Sequence, residues 1–126
     1  MRKILVVDDN LDYLELLASV LGKYFEVYEA TGVKDALRVL GDKEKGIETI
    51  CSDYNMRDGT GLDLLEKVRQ EGITIPFLLM SGDDDHVLKQ KARLYGGDFC
   101  CKTDCDFIEK IKVLCSNSSG SCQLIK

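Results

Sequence analysis

Residues 3–9 read KILVVDD, and this stretch decides the fold. Four apolar residues, Ile4 to Val7, run without alternation into two acids, Asp8 and Asp9. An unbroken apolar run suits a strand buried on both faces, the kind found in parallel sheets covered by helices. The predicted strand spans residues 3–8 and delivers its acids at its carboxyl end. Downstream, Asn10 or Asp12 can cap a helix carrying Leu14, Leu17, Ala18 and Leu21 at i, i+3, i+4, i+7 spacing, with Gly22 near its end. Residues 25–30 (FEVYEA) alternate like a half-buried strand. Thr31 is the predicted cap of a second helix, with Val33, Ala36, Leu37 and Leu40 on one face.

The alternation continues to the end of the chain. Residues 47–52 predict a third strand ending at Asp53. Residues 54–61 read as a loop with a turn at Asp58-Gly59. Thr60 opens a third helix with Leu62, Leu65 and Val68 inward. Residues 76–80 predict a fourth strand, with Pro76 in the first position, where proline is tolerated. Ser81-Gly82 ends it. Asp83, Asp84 and Asp85 sit where the macrodipole of a fourth helix favours acids, and that helix carries Leu88, Ala92 and Tyr95. After Gly96-Gly97, residues 98–101 predict a short fifth strand, followed by Lys102. Asp104 can cap a last helix with Phe107 or Ile108, Ile111 and Leu114 inward. Five strand–helix units with right-handed crossovers make an α/β fold, a parallel sheet with helices on both faces. Its ligand site lies at the carboxyl ends of the strands.

Length and composition limit the function classes. The chain has 126 residues, which fits one domain. Residues 1–115 carry the pattern, and the Ser/Gly-rich residues 116–126 read as a flexible tail. The 22 acids outnumber the 17 bases, which argues against non-specific nucleic-acid binding. The amino-terminal apolar run is too short for a secretory core of roughly 7–15 residues. No run approaches the roughly 18 needed to span a bilayer. The expectation is a cytoplasmic protein with no membrane contact. Its cysteines, Cys51, Cys100, Cys101, Cys105, Cys115 and Cys122, contain no Cys-x-x-Cys pair and have no histidine beside them to complete a zinc set. They read as reduced thiols, several of them small buried hydrophobes, without an assigned role.

Five residues collect at the predicted carboxyl edge: Asp8 and Asp9, Asp53, Ser81 and Lys102. Three carboxylates in one crevice repel each other, and a hard divalent cation neutralises them. Oxygen-only ligands suit Mg²⁺. A lysine and a hydroxyl beside such an ion supply what phosphoryl oxygens need, positive charge and hydrogen-bond donors. One carboxylate can then act as nucleophile and form an acyl phosphate.

These residues resemble the receiver domain of two-component response regulators. The resemblance is carried by ILVVDDN, CSDYNMRDGTGLDLLEKVR around Asp53, PFLLMSG with Ser81 and DFCCK with Lys102, and it spans nearly the whole chain. It implies a flavodoxin-like, doubly wound parallel sheet with strand order 2-1-3-4-5. It implies Asp53 as phosphoacceptor and Mg²⁺ (or Mn²⁺) held by Asp9, by Asp8 mainly through water, by Asp53 and by the Asn55 backbone carbonyl. Lys102 pairs with Asp53 and then with the phosphoryl oxygens. Ser81 moves to bond a phosphoryl oxygen, and Phe99 is the aromatic switch that turns inward with it, a population shift biased by one phosphate. The implied partners are a histidine kinase or phosphotransfer protein, bound beside the first helix, and a downstream effector protein. The expected state is a monomer, or a dimer once phosphorylated. No effector domain is read in this chain, so the expectation is a receiver that catalyses only its own phosphorylation and dephosphorylation, either standing alone and acting by binding a partner or forming a piece of a larger protein.

Two positions lack a proline that the family pattern often has. Arg57 stands where proline is frequent, four residues after the acceptor. Thr103 follows Lys102 where a proline, often cis, is usual; a cis bond before a non-proline residue costs about 3–4 kcal/mol. Other motifs fail. An EF-hand begun at Asp53 would need glycine at 58 and glutamate at 64, where the chain has Asp58 and Leu64. No Walker A phosphate loop is present. His86, the only histidine, falls among solvated helix residues. Two alternatives stay open. One is an aspartate-nucleophile phosphatase similar to the haloacid dehalogenase superfamily, which needs Asp-x-Asp where this chain has Asn10. The other is a pseudo-receiver that binds partners without phosphorylation.

Overall fold

A computed structural model of the chain describes residues 2–102 and 108–113. Five strands form one parallel sheet: β1 (Arg2–Val7), β2 (Phe25–Ala30), β3 (Thr49–Asp53), β4 (Phe77–Ser81) and β5 (Asp98–Cys101). Their order across the sheet is 2-1-3-4-5 in chain numbering. The order reverses between β1 and β3, so the switch-point crevice opens at the ends of these two strands. The helices are α1 (Leu11–Leu21), α2 (Val33–Gly41), α3 (Gly61–Gln70) and α4 (His86–Leu94), and residues 108–113 are helical.

The apolar run of β1 divides between two layers because successive side chains of a strand point to opposite faces. Ile4 and Val6 pack with Leu14, Leu17 and Leu21 of α1 and with Ile111. Leu5 and Val7 pack on the other face with α2, α3 and α4, through residues such as Ala36, Leu64 and Ala92. All four β1 residues are fully buried. Cys51 and Cys100 are buried in the α1 layer, and Cys51 Sγ sits 3.3 Å from Met80 Sδ. Cys101 is half-buried.

The expected boundaries move by a residue or two. β1 ends at Val7, so Asp8 follows the strand, and β3 starts at Thr49, leaving Ile47 partly buried outside it. Pro76 stands just before β4, where its carbonyl accepts the Ile50 N–H at 2.9 Å. Asn10 rather than Asp12 caps α1, its side chain accepting the Tyr13 N–H at 3.1 Å. Thr60 caps α3 in a reciprocal box with Asp63, and Asp85 caps α4 by accepting the Val87 and Leu88 N–H groups.

Two expectations are corrected. Thr31 does not cap α2. Gly32 occupies the cap position without a side-chain bond, and the Asp58 carboxylate accepts the Val33 and Lys34 N–H groups at 2.8 and 3.0 Å. Gly32 makes room for this, because a Cβ there would lie 2.6 Å from Asp58 Oδ1. The buried stripe of α3 is also displaced. It runs Gly61, Leu64, Leu65, Val68, and Leu62 is only half-buried. The helix enters against the sheet at Gly61, where a Cβ would meet the Asp53 carbonyl at 2.4 Å, and the i, i+3, i+4, i+7 face follows from that residue. Within the predicted loop, Asn55–Met56 pairs antiparallel with Gly59–Thr60. In α2, Val39 joins Val33 and Ala36 in the core, and Leu37 and Leu40 are half-buried. Thr103, Asp104, Cys105, Phe107, Leu114, Cys115 and the tail at 116–126 with Cys122 lie outside the described residues.

Candidate functional site

The carboxyl ends of β1 and β3 bring three acids together. One carboxylate oxygen from each of Asp8, Asp9 and Asp53 lies within 4.8 Å of the other two. Asp8 is fully buried immediately after β1; its Oδ1 accepts the Asn10 N–H at 2.9 Å and its Oδ2 accepts from Lys102 Nζ at 3.1 Å. Asp53 ends β3, with its side chain 13% exposed and its Oδ1 2.9 Å from Lys102 Nζ. Asp9 is half-buried at the rim. Lys102 comes directly after β5, and its backbone N–H donates to the Ser81 carbonyl at 2.7 Å, extending the ladder with β4. One ammonium therefore bridges two carboxylates contributed by different strands.

The electrostatics leave this cluster short of positive charge. Burial pushes the Asp53 carboxyl above its ordinary range; the Lys102 hydrogen bond pulls it back, and the neighbouring Asp8 charge raises it again. Burial works against the Lys102 ammonium, but its bond to Asp53 and the charges of Asp53 and Asp8 outweigh that and hold its pKa above the usual value. Three acids against one lysine leave a deficit, and every side-chain donor in the acid cluster is an oxygen. The residues fit a hard divalent cation on both counts.

The remaining expected site residues lie on the adjoining loop and on the neighbouring strands. Asn55 follows Asp53 by two residues and has an exposed side chain, in the short ladder opposite Thr60. That loop is anchored at both ends of Tyr54: its N–H donates to the Met80 carbonyl at 2.8 Å, and its carbonyl accepts from Gly61 at 2.7 Å. Ser81 ends β4 almost fully buried, and its Oγ accepts the Asp83 N–H at 3.3 Å. Phe99 is half-buried against the core layer of α2, α3 and α4. Arg57 and His86 are exposed.

Sequence reasoning passed over Tyr13. Its ring centroid lies 4.1 Å from Lys102 Nζ, on the first turn of α1. The available signal was an aromatic residue one helical turn after the strand-end acids. In the sequence Asp58 reads as a turn residue, because its role at α2 depends on a partner 25 residues away.

Comparisons with known proteins agree with this fold. Among curated relatives, the two-component response regulator ARR11 of Arabidopsis thaliana is 33% identical over 109 residues, 86% of this chain and 19% of that protein. The sensor histidine kinase RcsC of Escherichia coli K12 is 35% identical over 98 residues, 77% of this chain and 10% of that protein. The chain thus spans less than a fifth of either relative. A solved CheY-like receiver domain protein from Methanospirillum hungatei superposes with a TM-score of 0.87 at 21% identity, covering 97% of this chain and 99% of that one. The receiver domain of Francisella response regulator 1452 gives 0.85, also at 21% identity, covering 94% and 99%. These structures share the fold. A family model for the response regulator receiver domain matches residues 4–108, most of the chain and every strand end described above. On that match the chain belongs to the response regulator receiver domain family.

Proposed function

We propose that this domain is a phosphorelay receiver that accepts a phosphoryl group on Asp53. The carrying observation is the Lys102 ammonium shared between Asp53 and the fully buried Asp8, beside a third carboxylate. Asp53 is the nucleophile: its carboxylate oxygen bonds to phosphorus as the bond to the donor's nitrogen or oxygen breaks. Lys102 stands at hydrogen-bond distance from that carboxylate and pairs with the arriving phosphoryl oxygens. The Ser81 hydroxyl supplies a further donor, and Phe99 turns inward as Ser81 moves. Asp9, Asp8, Asp53 and the Asn55 carbonyl would hold Mg²⁺ (or Mn²⁺), which would supply positive charge against the phosphoryl oxygens.

The donor in this reading is a histidine kinase or a phosphotransfer protein, and the output is a changed contact with an effector protein. Similarity to a response regulator and to a segment of a sensor histidine kinase supports such a relay. The domain turns over no substrate beyond its own acyl phosphate, and it works in the cytoplasm. Among the described residues, no helix is long and apolar enough to cross a membrane.

The test is intact-mass analysis with a small acyl phosphate donor and Mg²⁺. The expected result is one added phosphoryl per chain, lost in Asp53→Asn and in EDTA. Repeated turnover of a phosphomonoester would replace this reading with a phosphatase. Absence of any adduct would replace it with phosphorylation-independent partner binding.

A further inference from the structure

Four contacts close a ring around Asp8. Its Oδ1 accepts the Asn10 N–H at 2.9 Å. The Asn10 side-chain oxygen accepts the Tyr13 N–H at 3.1 Å and so caps α1. The Tyr13 ring presents its face to Lys102 Nζ, 4.1 Å from the centroid. Lys102 Nζ returns to Asp8 Oδ2 at 3.1 Å. The lysine side chain is 22% exposed, and the half-buried Tyr13 packs against the core layer beneath α1. The ammonium therefore has Asp8 and Asp53 as anionic partners and an aromatic face as a third.

A lysine stem has several rotatable bonds, and two carboxylates on different strands do not by themselves fix the head between them. A ring face attracts the cation through its quadrupole, and the attraction grows as water is excluded. The face also limits how far the head can swing without losing that contact. Resting on the phosphoacceptor reading of Asp53, we infer that Tyr13 is a positioning residue: its ring holds the Lys102 ammonium at the acceptor carboxylate, ready for the incoming phosphoryl oxygens. The ring face does this work, so the phenolic hydroxyl is dispensable.

The experiment compares Tyr13→Phe, Tyr13→Leu and Tyr13→Met with the parent chain in two measurements. The first is the pseudo-first-order rate of phosphorylation by acetyl phosphate with Mg²⁺. Tyr13→Phe stays within about twofold of the parent, and Tyr13→Leu and Tyr13→Met fall about fivefold, the size of a partly exposed cation–π contact. The second is the NMR shift of the Lys102 ε-methylene protons without phosphodonor. A ring-current upfield shift is present in the parent and in Tyr13→Phe and disappears in the other two. Methionine fills the same space without a branch, so a folding defect peculiar to leucine does not decide the outcome. Equal phosphorylation rates in the Phe, Leu and Met variants overturn the inference, and so does an ε-methylene shift that ignores the ring. If the parent chain takes up no phosphoryl group, the phosphoacceptor reading falls, and the ring-current comparison still decides whether Tyr13 holds Lys102.

Discussion

Asp8 and Asp58 are the same side chain put to opposite uses. Asp58 sits on an exposed turn, and the backbone N–H groups of Val33 and Lys34 satisfy both its oxygens. Those bonds hold its carboxyl below the ordinary range, so the acid is at ease as an anion. Asp8 is fully buried, shares one lysine with Asp53 and adds its charge to two other acids. The first arrangement is complete and holds the fold together. The second sets three carboxylates against one ammonium among the described residues. Chemistry gathers where local satisfaction stops.

The largest expected effect tests that imbalance. Lys102→Met leaves Asp8 buried beside Asp53 without its cation, and breaking a buried pair from one side costs about 3–5 kcal/mol. Urea denaturation in EDTA reads this loss, and millimolar Mg²⁺ reduces it. A midpoint equal to the parent's would mean that the Lys102 contacts to Asp8 and Asp53 contribute no stability. Asp58→Ala tests the complete arrangement. It removes the cap of α2 and costs about 1 kcal/mol by the same measurement, with or without metal. Gly32→Ala should act in the same direction, because its Cβ would displace the carboxylate. A metal-dependent loss in Asp58→Ala would erase the contrast between the two sites.

The smallest effect is a pair of opposite pH slopes in metal-free buffer. The folded-state pKa of Asp58 is depressed, so its contribution is present above the unfolded carboxylate range and is lost as pH falls through the folded value. The folded-state pKa of Asp53 is raised, so stability is present below the unfolded value and is lost as pH rises through the folded one. Asp58→Asn should therefore flatten the acid-side loss of stability. Asp53→Asn should remove a decline that sets in as pH rises above the unfolded carboxylate value. Denaturation midpoints across that range separate the two; parallel profiles for both variants would contradict the assigned directions.

The sheet was legible because its signals are local. Ile4 to Val7 needs no distant information to read as a doubly buried strand, and the strand ends locate Asp8, Asp53 and Lys102 once the order of units is known. Asp58 was not legible as a cap, since its partners lie in α2 and only the folded loop brings them near. Leu62 was misplaced because the burial of α3 is set by Gly61 meeting the sheet, a contact invisible to side-chain periodicity. Arg69 was missed for a similar reason. Its guanidinium donates to the carbonyls of Ile73, Tyr95 and Gly96, tying the end of α3 to the end of α4 across 27 residues of sequence. A surface-type residue near a helix end carries no mark of such a clasp.

The buried thiols give the domain an internal gauge of its own breathing. Cys51 lies two residues before Asp53 and Cys100 two before Lys102, both in the layer that α1 covers. Burial pushes the Cys51 thiol up, so little thiolate exists to react while that layer stays shut. Cys101 is half-exposed on the neighbouring position. Alkylation kinetics would then report two separate events: access to Cys101 at the rim of the site, and, at Cys51 and Cys100, the rarer lifting of the helix that carries Tyr13.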